Sequence, residues 1–143
     1  MSDTRVLVTG GCGYIGSALV PELLEDPRVG QVVVLDSLAS GSPGNLAGHL
    51  DDSIEFRRGD VREYGDVESA VRGVDTIIHL AAITGAASTH DREAETVAVN
   101  RDGTENVLTA AGKFDVGNVV LASSCNNYGR AASTDIDEET EQN

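Results

Sequence analysis

Three glycines that follow an apolar run are the residues of this chain best placed to bind a phosphorylated ligand. Residues 6–8 predict a buried strand, Gly10, Gly13 and Gly16 follow it, and a helical pattern comes next. Backbone N–H groups in such a turn can approach a nucleotide pyrophosphate, and the helix N-terminus adds its partial positive charge. We expect Gly10 to permit the tight turn, Gly13 to let the ligand approach the backbone, and Gly16 to let the helix pack close to the sheet. The spacing alone is weak evidence, because 16 of the 143 residues are glycine, but its strand–helix context supports this interpretation.

A carboxylate follows the second apolar run. Asp36 comes directly after residues 31–35 and about twenty residues beyond Gly16, where it can accept hydrogen bonds from the hydroxyls of an adenosine ribose. The same carboxylate would repel a 2′-phosphate, so this position favours NAD over NADP. The alternative interpretation is a turn residue that opens the loop 37–41.

Residues after the third and fourth apolar runs extend the pattern. Asp60 could hydrogen-bond an adenine amino group while Val61 packs on the ring, or Asp60 could be the N-cap of the following helix. Leu80, Ala81 and Ala82 could let the backbone lie flat against a cofactor, or they could be ordinary close packing.

Hydroxyls follow the fifth run, where Ser123 and Ser124 could hydrogen-bond a substrate hydroxyl or carbonyl, although such serine pairs are commonplace. His79 is interpreted as a satisfied histidine at a strand end rather than a catalyst. His49 and His90 do not complete a metal-ligand set, so no metal site is predicted.

The two cysteines, Cys12 and Cys125, are interpreted as small pocket-wall residues rather than a disulfide. This cysteine usage favours a reduced, cytoplasmic protein.

Apolar runs alternate with helical patterns along the chain. Strands are predicted at 5–9, 31–35, 54–57, 76–80 and 118–122, mostly buried on both faces. Helices are predicted after Gly13, with a kink or an early end at Pro21, then at 64–72 and at 90–111. Within the last of these helices, Gly103 marks close packing against another backbone. Residues 37–50 are expected to form a loop. The alternation predicts an α/β fold with a doubly wound parallel sheet of about five strands, in which functional residues follow the strands.

The composition is strongly acidic. Twenty-four Asp and Glu residues oppose 10 Lys and Arg residues, which gives a net charge of −14. Such a surface disfavours nucleic acid and anionic membranes as partners, and no apolar run is long enough to span a bilayer. A dispersed acidic surface with a single lysine is typical of proteins from salt-loving cytoplasm, and the alternative is an ordinary acidic protein.

The motifs that follow the five strands, with one in the long helix, occur in the order of a known family. They are Thr9-Gly10-Gly11-Cys12-Gly13-Tyr14-Ile15-Gly16-Ser17, Asp36 with loop 37–41, Gly59-Asp60-Val61-Arg62, His79-Leu80-Ala81-Ala82, Val99-Asn100-x-x-Gly103-Thr104-x-Asn106-Val107-Leu108, and Ser123-Ser124-x-x-x-Tyr128-Gly129. With them, the chain resembles the NAD-dependent nucleotide-sugar epimerases and dehydratases of the extended short-chain dehydrogenase/reductase superfamily, which have a Rossmann-type fold.

The resemblance implies a role for each of these positions. Gly10, Gly13, Tyr14, Ile15 and Gly16 would hold the pyrophosphate, Asp36 and Ser37 the adenosine ribose, and Asp60 and Val61 the adenine. Leu80, Ala81 and Ala82 would line the cofactor, Asn100 would brace the long helix against the loop after the fourth strand, and Ser123 would face the nicotinamide. Ser124 matches the catalytic Ser/Thr that hydrogen-bonds the reacting sugar hydroxyl.

The family's catalytic tyrosine and lysine have no match here. The sequence contains no Tyr-x-x-x-Lys, and Lys113 is its only lysine. The resemblance therefore implies an N-terminal fragment that ends before the sixth strand. It would comprise an incomplete NAD-binding domain (1–131) and an acidic tail (132–143), without the substrate domain.

The complete protein would be a homodimer that binds a nucleotide sugar. Two alternatives stay open: a non-catalytic NAD-sensing module, and a reductase of the same superfamily that acts on a non-nucleotide substrate.

Overall fold

In the computed structural model, which describes residues 4–48, 54–85, 91–129 and 136–142, five parallel strands form one sheet. The strands are β1 (Thr4–Thr9), β2 (Val29–Asp36), β3 (Ile54–Arg58), β4 (Thr76–His79) and β5 (Asn118–Leu121). Their spatial order is β3-β2-β1-β4-β5. All five predicted strands are confirmed, and so is the doubly wound α/β class, because the order reverses between β1 and β4.

The helices lie between the strands. They are α1 (Tyr14–Glu25), α2 (Tyr64–Val71), α3 (Glu93–Val97) and α4 (Gly103–Lys113), and a π-helical turn (Ala98–Asp102) joins the last two. The predicted helix at 90–111 is therefore confirmed over its described part, although the sequence did not predict the π turn. The start of that prediction at His90 lies outside the described residues, as does His49. The early end considered for the first helix is wrong, because α1 continues past Pro21 to Glu25.

Two apolar layers cover the sheet, one on each face. Val6 and Val8 of β1 pack with Val20 of α1, whereas Leu7 points to the opposite face and packs with residues of α2 and α4 such as Val107. This alternation along one strand explains why residues 6–8 of β1 and residues 32–35 of β2 are apolar without interruption.

The edge strands are less buried than predicted. Val120 and Leu121 of β5 are 53% and 43% exposed, and most of β3 is only half-buried. Both strands lie at an edge of the sheet, with a neighbouring strand on one side only. β5 is apolar and nevertheless exposed, whereas β3 carries charged residues at three of its five positions.

The prediction that residues 37–50 form a loop is wrong over Pro43–Leu46, which form a short 3₁₀ helix. The Ser42 hydroxyl accepts a hydrogen bond from Gly44 N at its start, and Leu46 is fully buried. None of the helices in the described part of the chain is long and apolar enough to cross a membrane.

Candidate functional site

A cavity of about 310 Å³ opens at the carboxyl ends of the strands. It lies where the strand order reverses, which is the usual ligand site of an open parallel sheet. Most of the predicted cofactor residues line it: Gly10, Gly13, Asp36, Ser37, Asp60, Val61, Leu80, Ala81 and Ala82. The residues that follow the strands therefore meet at one cavity, as the parallel topology predicts.

The glycine turn is held by close backbone contacts. Gly10 has φ +71°, and a Cβ there would lie 2.8 Å from Ala81 N, so the predicted tight turn is confirmed. Gly16 was expected to let α1 pack close to the sheet, and this prediction is wrong about which part of the protein Gly16 approaches. A Cβ on Gly16 would lie 2.5 Å from Gly11 Cα, so this glycine lets α1 approach the turn rather than the sheet. Gly11, in the turn before α1, is the glycine that approaches the sheet, because its Cβ would lie 2.7 Å from Val34 Cγ1 of β2.

The start of α1 presents its backbone rather than its side chains. The N-cap residue, Gly13, has no side chain that could cap the helix, and no acidic residue lies in the first turn. The first helical hydrogen bond runs from Ser17 N to Gly13 O at 2.9 Å. Tyr14 and Ile15 are 95% and 61% exposed, and neither these two residues nor Gly16 lines the cavity. The backbone N–H groups of Tyr14, Ile15 and Gly16 have no partner inside the helix, because they lie in its first turn. A phosphate at this helix start would therefore be bound by these N–H groups rather than by side chains.

Asp36 connects the glycine turn to the loop after β2. It is 8% exposed, and its Oδ2 accepts a hydrogen bond from Cys12 N at 2.9 Å while Oδ1 accepts one from Leu38 N at 2.8 Å. The turn-residue interpretation is therefore confirmed. It does not exclude cofactor binding, since each carboxylate oxygen has a second lone pair and Asp36 lines the cavity. Burial, with a smaller effect of Asp36, raises the pKa of the Cys12 thiol to about 11.

Asp60 is held by an arginine of its own turn. Its carboxylate pairs with the Arg62 guanidinium at 2.6 Å and accepts Arg62 N at 2.9 Å. These hydrogen bonds lower the pKa of Asp60. The N-cap alternative is wrong, because α2 begins after Glu63 and the backbone N–H of Asp60 itself donates to Asp66 Oδ2. Val61 beside it is buried, and Gly103 packs against the Val61 side chain rather than against another backbone as predicted.

The loop after β4 is anchored at two points. Ala81 N donates to Thr9 Oγ1 at 3.2 Å, and the Asn100 side chain bonds both Ile83 N and Ile83 O, at 2.8 and 2.9 Å. The expected brace by Asn100 is therefore present, although Asn100 itself does not line the cavity. Ile83 does line it, which the sequence reasoning missed.

Charged residues at the mouth of the cavity were also missed. Arg62, Arg92 and Glu95 line it, and Arg92 Nε bonds Glu95 Oε2 at 2.7 Å. Their i,i+3 spacing was the only available signal for this pair, and such pairs are common on exposed helices.

The predicted substrate-side residues lie away from the cavity. Ser123 and Ser124 are exposed beyond β5 and are not among the lining residues. Asn127 Nδ2 donates to Ser123 Oγ at 2.9 Å. Within the described ranges, no cluster of three or more His, Cys, Asp or Glu residues could hold a metal ion. The His79 ring bonds two hydroxyls, which confirms it as a satisfied histidine.

A reversed parallel sheet, a glycine turn at a helix start and an acidic residue after β2 define a Rossmann-type dinucleotide-binding domain. Comparison with known sequences narrows this class. The sequence model of the NAD dependent epimerase/dehydratase family matches residues 6–143, and the chain belongs to that family.

Relatives within the family differ in their substrates. The chain is 38% identical over 142 residues to dTDP-glucose 4,6-dehydratase of Streptomyces niveus, which covers 95% of the chain and 42% of that enzyme. It is 35% identical over 135 residues to UDP-glucose 4-epimerase of Halalkalibacterium halodurans, covering 93% and 38%. It is also 39% identical over 124 residues to a 3 beta-hydroxysteroid dehydrogenase/Delta 5-->4-isomerase of Mycobacterium tuberculosis, covering 84% and 31%.

Among solved structures, the chain superimposes with a TM-score of 0.91 on the dTDP-glucose 4,6-dehydratase DesIV of Streptomyces venezuelae, which was solved with NAD bound. The identity is 36%, and the match covers 98% of the chain and 45% of DesIV. The chain thus spans less than half the length of the relatives described here.

Proposed function

We propose that this chain forms the NAD-binding part of a nucleotide-sugar epimerase or dehydratase. The observation that carries the proposal is the cavity itself, where the glycine turn and the Asp36 carboxylate face one space at the reversal of strand order. Bound NAD would act as a hydride acceptor. The DesIV structure with NAD supports this assignment, because the two chains share the fold over nearly all of the present sequence.

The residues present fit a dinucleotide. In a chain of net charge −14, the first turn of α1 has no acidic residue and no side-chain cap, so its positive end is free for an anion. A pyrophosphate there would accept hydrogen bonds from the N–H groups of Tyr14 and Ile15, which have no partner inside the helix. The N–H groups of Gly10, Cys12 and Gly13 already donate to Leu35 O, Asp36 Oδ2 and Gly10 O. The adenosine ribose would then lie toward Asp36 and Ser37.

The adenine and nicotinamide ends of the site follow from that orientation. Adenine would lie against Val61, with Asp60 held in place by Arg62. The small side chains of Ala81 and Ala82 would let the cofactor run flat past the end of β4. We assign residues 1–131 to this binding unit, and we infer that Ser124 meets substrate only in the complete protein, which would be a cytoplasmic homodimer.

Because the sequence contains no Tyr-x-x-x-Lys, we expect the 143-residue chain to bind NAD without catalysing epimerisation. A reductase that acts on a non-nucleotide substrate is the second candidate, favoured by the identity to the hydroxysteroid dehydrogenase. Both candidates predict NAD binding, so a panel of nucleotide-sugar and hydroxysteroid substrates, assayed on the complete protein, separates them. Turnover of nucleotide sugars supports the first, and turnover of hydroxysteroids alone supports the second.

Calorimetric titration with NAD and with NADP tests the proposal. We expect NAD to bind at least about tenfold more tightly than NADP, a difference of about 1.4 kcal/mol. Asp36→Asn should weaken NAD binding and narrow that preference. Asp115→Asn is the matched control: Asp115 is exposed, lies outside the cavity and has φ +54°, which asparagine tolerates. Absence of NAD binding, or equal affinity for NADP, would refute the proposal.

A further inference from the structure

A chain of hydrogen bonds runs through the sheet beneath the loop after β4. Thr9 Oγ1 lies 2.6 Å from His79 Nδ1, and His79 Nε2 lies 3.0 Å from Thr104 Oγ1. Thr9 is fully buried and His79 is nearly so. This series of hydrogen bonds therefore links β1, β4 and α4 through side chains that the proposed cofactor chemistry does not use.

The proton positions in this chain follow from its two ends. The Thr104 hydroxyl donates to Asn100 O at 2.7 Å, since a carbonyl can only accept. A hydroxyl has one proton, so Thr104 must accept from His79, and the imidazole proton is therefore on Nε2. His79 Nδ1 then accepts a hydrogen bond from the Thr9 hydroxyl, whose oxygen in turn accepts one from Ala81 N at 3.2 Å.

Both ends of this series of hydrogen bonds reach the part of the cavity wall formed by residues 81–83. At one end Ala81, held through its N–H, lines the cavity and closes against Gly10. At the other end, the backbone carbonyl of Asn100 accepts the Thr104 hydrogen bond, and the Asn100 side chain bonds the backbone of Ile83. The neutral Nε2–H form of His79 is thus the form compatible with all four hydrogen bonds from Ala81 N through Thr9, His79 and Thr104 to Asn100 O.

Protonation of His79 would disrupt this series of hydrogen bonds. A second ring proton on Nδ1 would face the Thr9 hydroxyl, which could no longer donate there. The groups facing the ring from β1 and α4 are the hydroxyls of Thr9 and Thr104, and β5 presents Leu121 opposite His79. Among the described residues, no charged side chain contributes to the lowered pKa of His79, which burial alone causes.

We propose that His79, held by Thr104 as its Nε2–H tautomer, is a positioning residue that fixes the wall from Ala81 to Ile83 and so tunes cofactor affinity. The cofactor half of this inference rests on the proposed function, whereas the tautomer half does not.

Thr104→Val and Thr104→Ser test it as a matched pair, because valine keeps the shape without the hydroxyl and serine keeps the hydroxyl. Long-range ¹⁵N NMR of the 143-residue chain reports the tautomer, and calorimetry reports NAD affinity. We expect Nε2–H in the wild type and in Thr104→Ser. Thr104→Val should show a mixed tautomer, faster hydrogen exchange at Ala81 N–H and NAD binding weaker by about three- to tenfold, the value of one neutral hydrogen bond.

A pH series on the wild type covers the case in which Thr104→Val does not fold. NAD affinity should stay constant above the ordinary histidine pKa and fall as His79 takes up its proton, in step with its ¹⁵N titration. The Nδ1–H tautomer in the wild type, or a Thr104→Val protein with unchanged tautomer and affinity, would overturn the inference. If NAD fails to bind while the wild type shows Nε2–H and slow Ala81 exchange, the positioning network stands and the proposed function fails.

Discussion

Gly16→Ala should destabilise the fold although it places a better helix former in α1. A methyl group at this position would lie 2.5 Å from Gly11 Cα and 2.6 Å from the carbonyl oxygens of Gly10 and Gly11. A normal carbon–carbon contact is about 3.5 Å, so α1 would have to move about 1 Å away from the glycine turn. These obstacles are backbone atoms, which cannot rotate aside as a side chain can.

The expected magnitude is the difference between two opposing effects. Replacing glycine by alanine inside a helix gains up to about 1 kcal/mol from propensity. Forcing a methyl group into filled space costs about 1–3 kcal/mol, and three backbone contacts place this site toward the upper end. We therefore expect a net loss of about 1–2 kcal/mol in the free energy of unfolding.

Gly112→Ala is the matched control. Gly112 lies in the last turn of α4, and a Cβ there would meet nothing within 4 Å. The same chemical change should therefore stabilise the protein by about 0.5–1 kcal/mol. The two glycine-to-alanine changes thus have opposite signs, which a general effect of alanine cannot produce.

Urea denaturation followed by circular dichroism measures both variants, and calorimetry measures their NAD affinity. Moving α1 away from the turn should also weaken NAD binding about tenfold, because the N–H groups of the helix start lose their position. Gly112→Ala should bind NAD as the wild type does. If Gly16→Ala is as stable as the wild type, the argument that α1 depends on contact with the glycine turn fails.

Three further predictions concern charge and titration. Native Cys12 should resist iodoacetamide at pH 8 and react once the chain is unfolded, because it is buried and its pKa is about 11; equal rates in both states would contradict this. Arg62→Gln should raise the pKa of Asp60 toward its ordinary value, since Arg62 donates the hydrogen bonds that lower it. A carboxyl ¹³C titration measures this shift, and an unchanged value would show that Arg62 is not the cause. Thermal stability should rise between about 0.1 and about 2 M KCl as salt screens the net charge of −14, and a flat profile would favour the ordinary acidic protein.

The elements of the fold could be predicted because four of the five strands contain a short apolar run and β3 alternates apolar and charged residues at its start. The residues after those runs could then be placed at one edge of the sheet without knowing any contact. Asp36, Val61 and Ala81 all lie at the cavity for this reason. Parallel topology alone sufficed, since the carboxyl ends of parallel strands meet at the same edge.

The faces of the long helix could not be predicted in the same way. Val97 and Leu108 follow helical spacing with Thr104, yet both are about half exposed, and the buried residues include Gly103 and Val107. The buried face is instead the side of α4 that packs against α2, where Val107 and Ala110 join the apolar cluster of Val67. Several faces of this helix carry apolar residues, so the spacing alone does not say which one α2 covers.

The residues that each glycine contacts could not be predicted from the sequence, for a different reason. The spacing of Gly10, Gly13 and Gly16 predicts close approach of backbone, but it does not say which backbone approaches. Gly16 approaches the turn itself, and Gly11, which the motif leaves without a role, meets the sheet at Val34. Such assignments depend on how α1 packs on the sheet, where Val20 is buried against Val6 and Val8.

The cavity exists because the strand order joins two segments that are distant in sequence. Thr9 lies opposite His79 in adjacent strands, so the chain leaves β1 and β4 at the same level, and the helices that follow cover opposite faces of the sheet. A side chain at Gly10 would fill the resulting gap, because its Cβ would lie 2.8 Å from Ala81 N. Backbone atoms at the ends of β1 and β4 therefore determine the shape of the cavity. The segments at the ends of β2 and β3 add the carboxylates of Asp36 and Asp60 to its lining. Substitutions at the ends of β2 and β3 should consequently change which cofactor binds, and substitutions at the ends of β1 and β4 should change whether any binds.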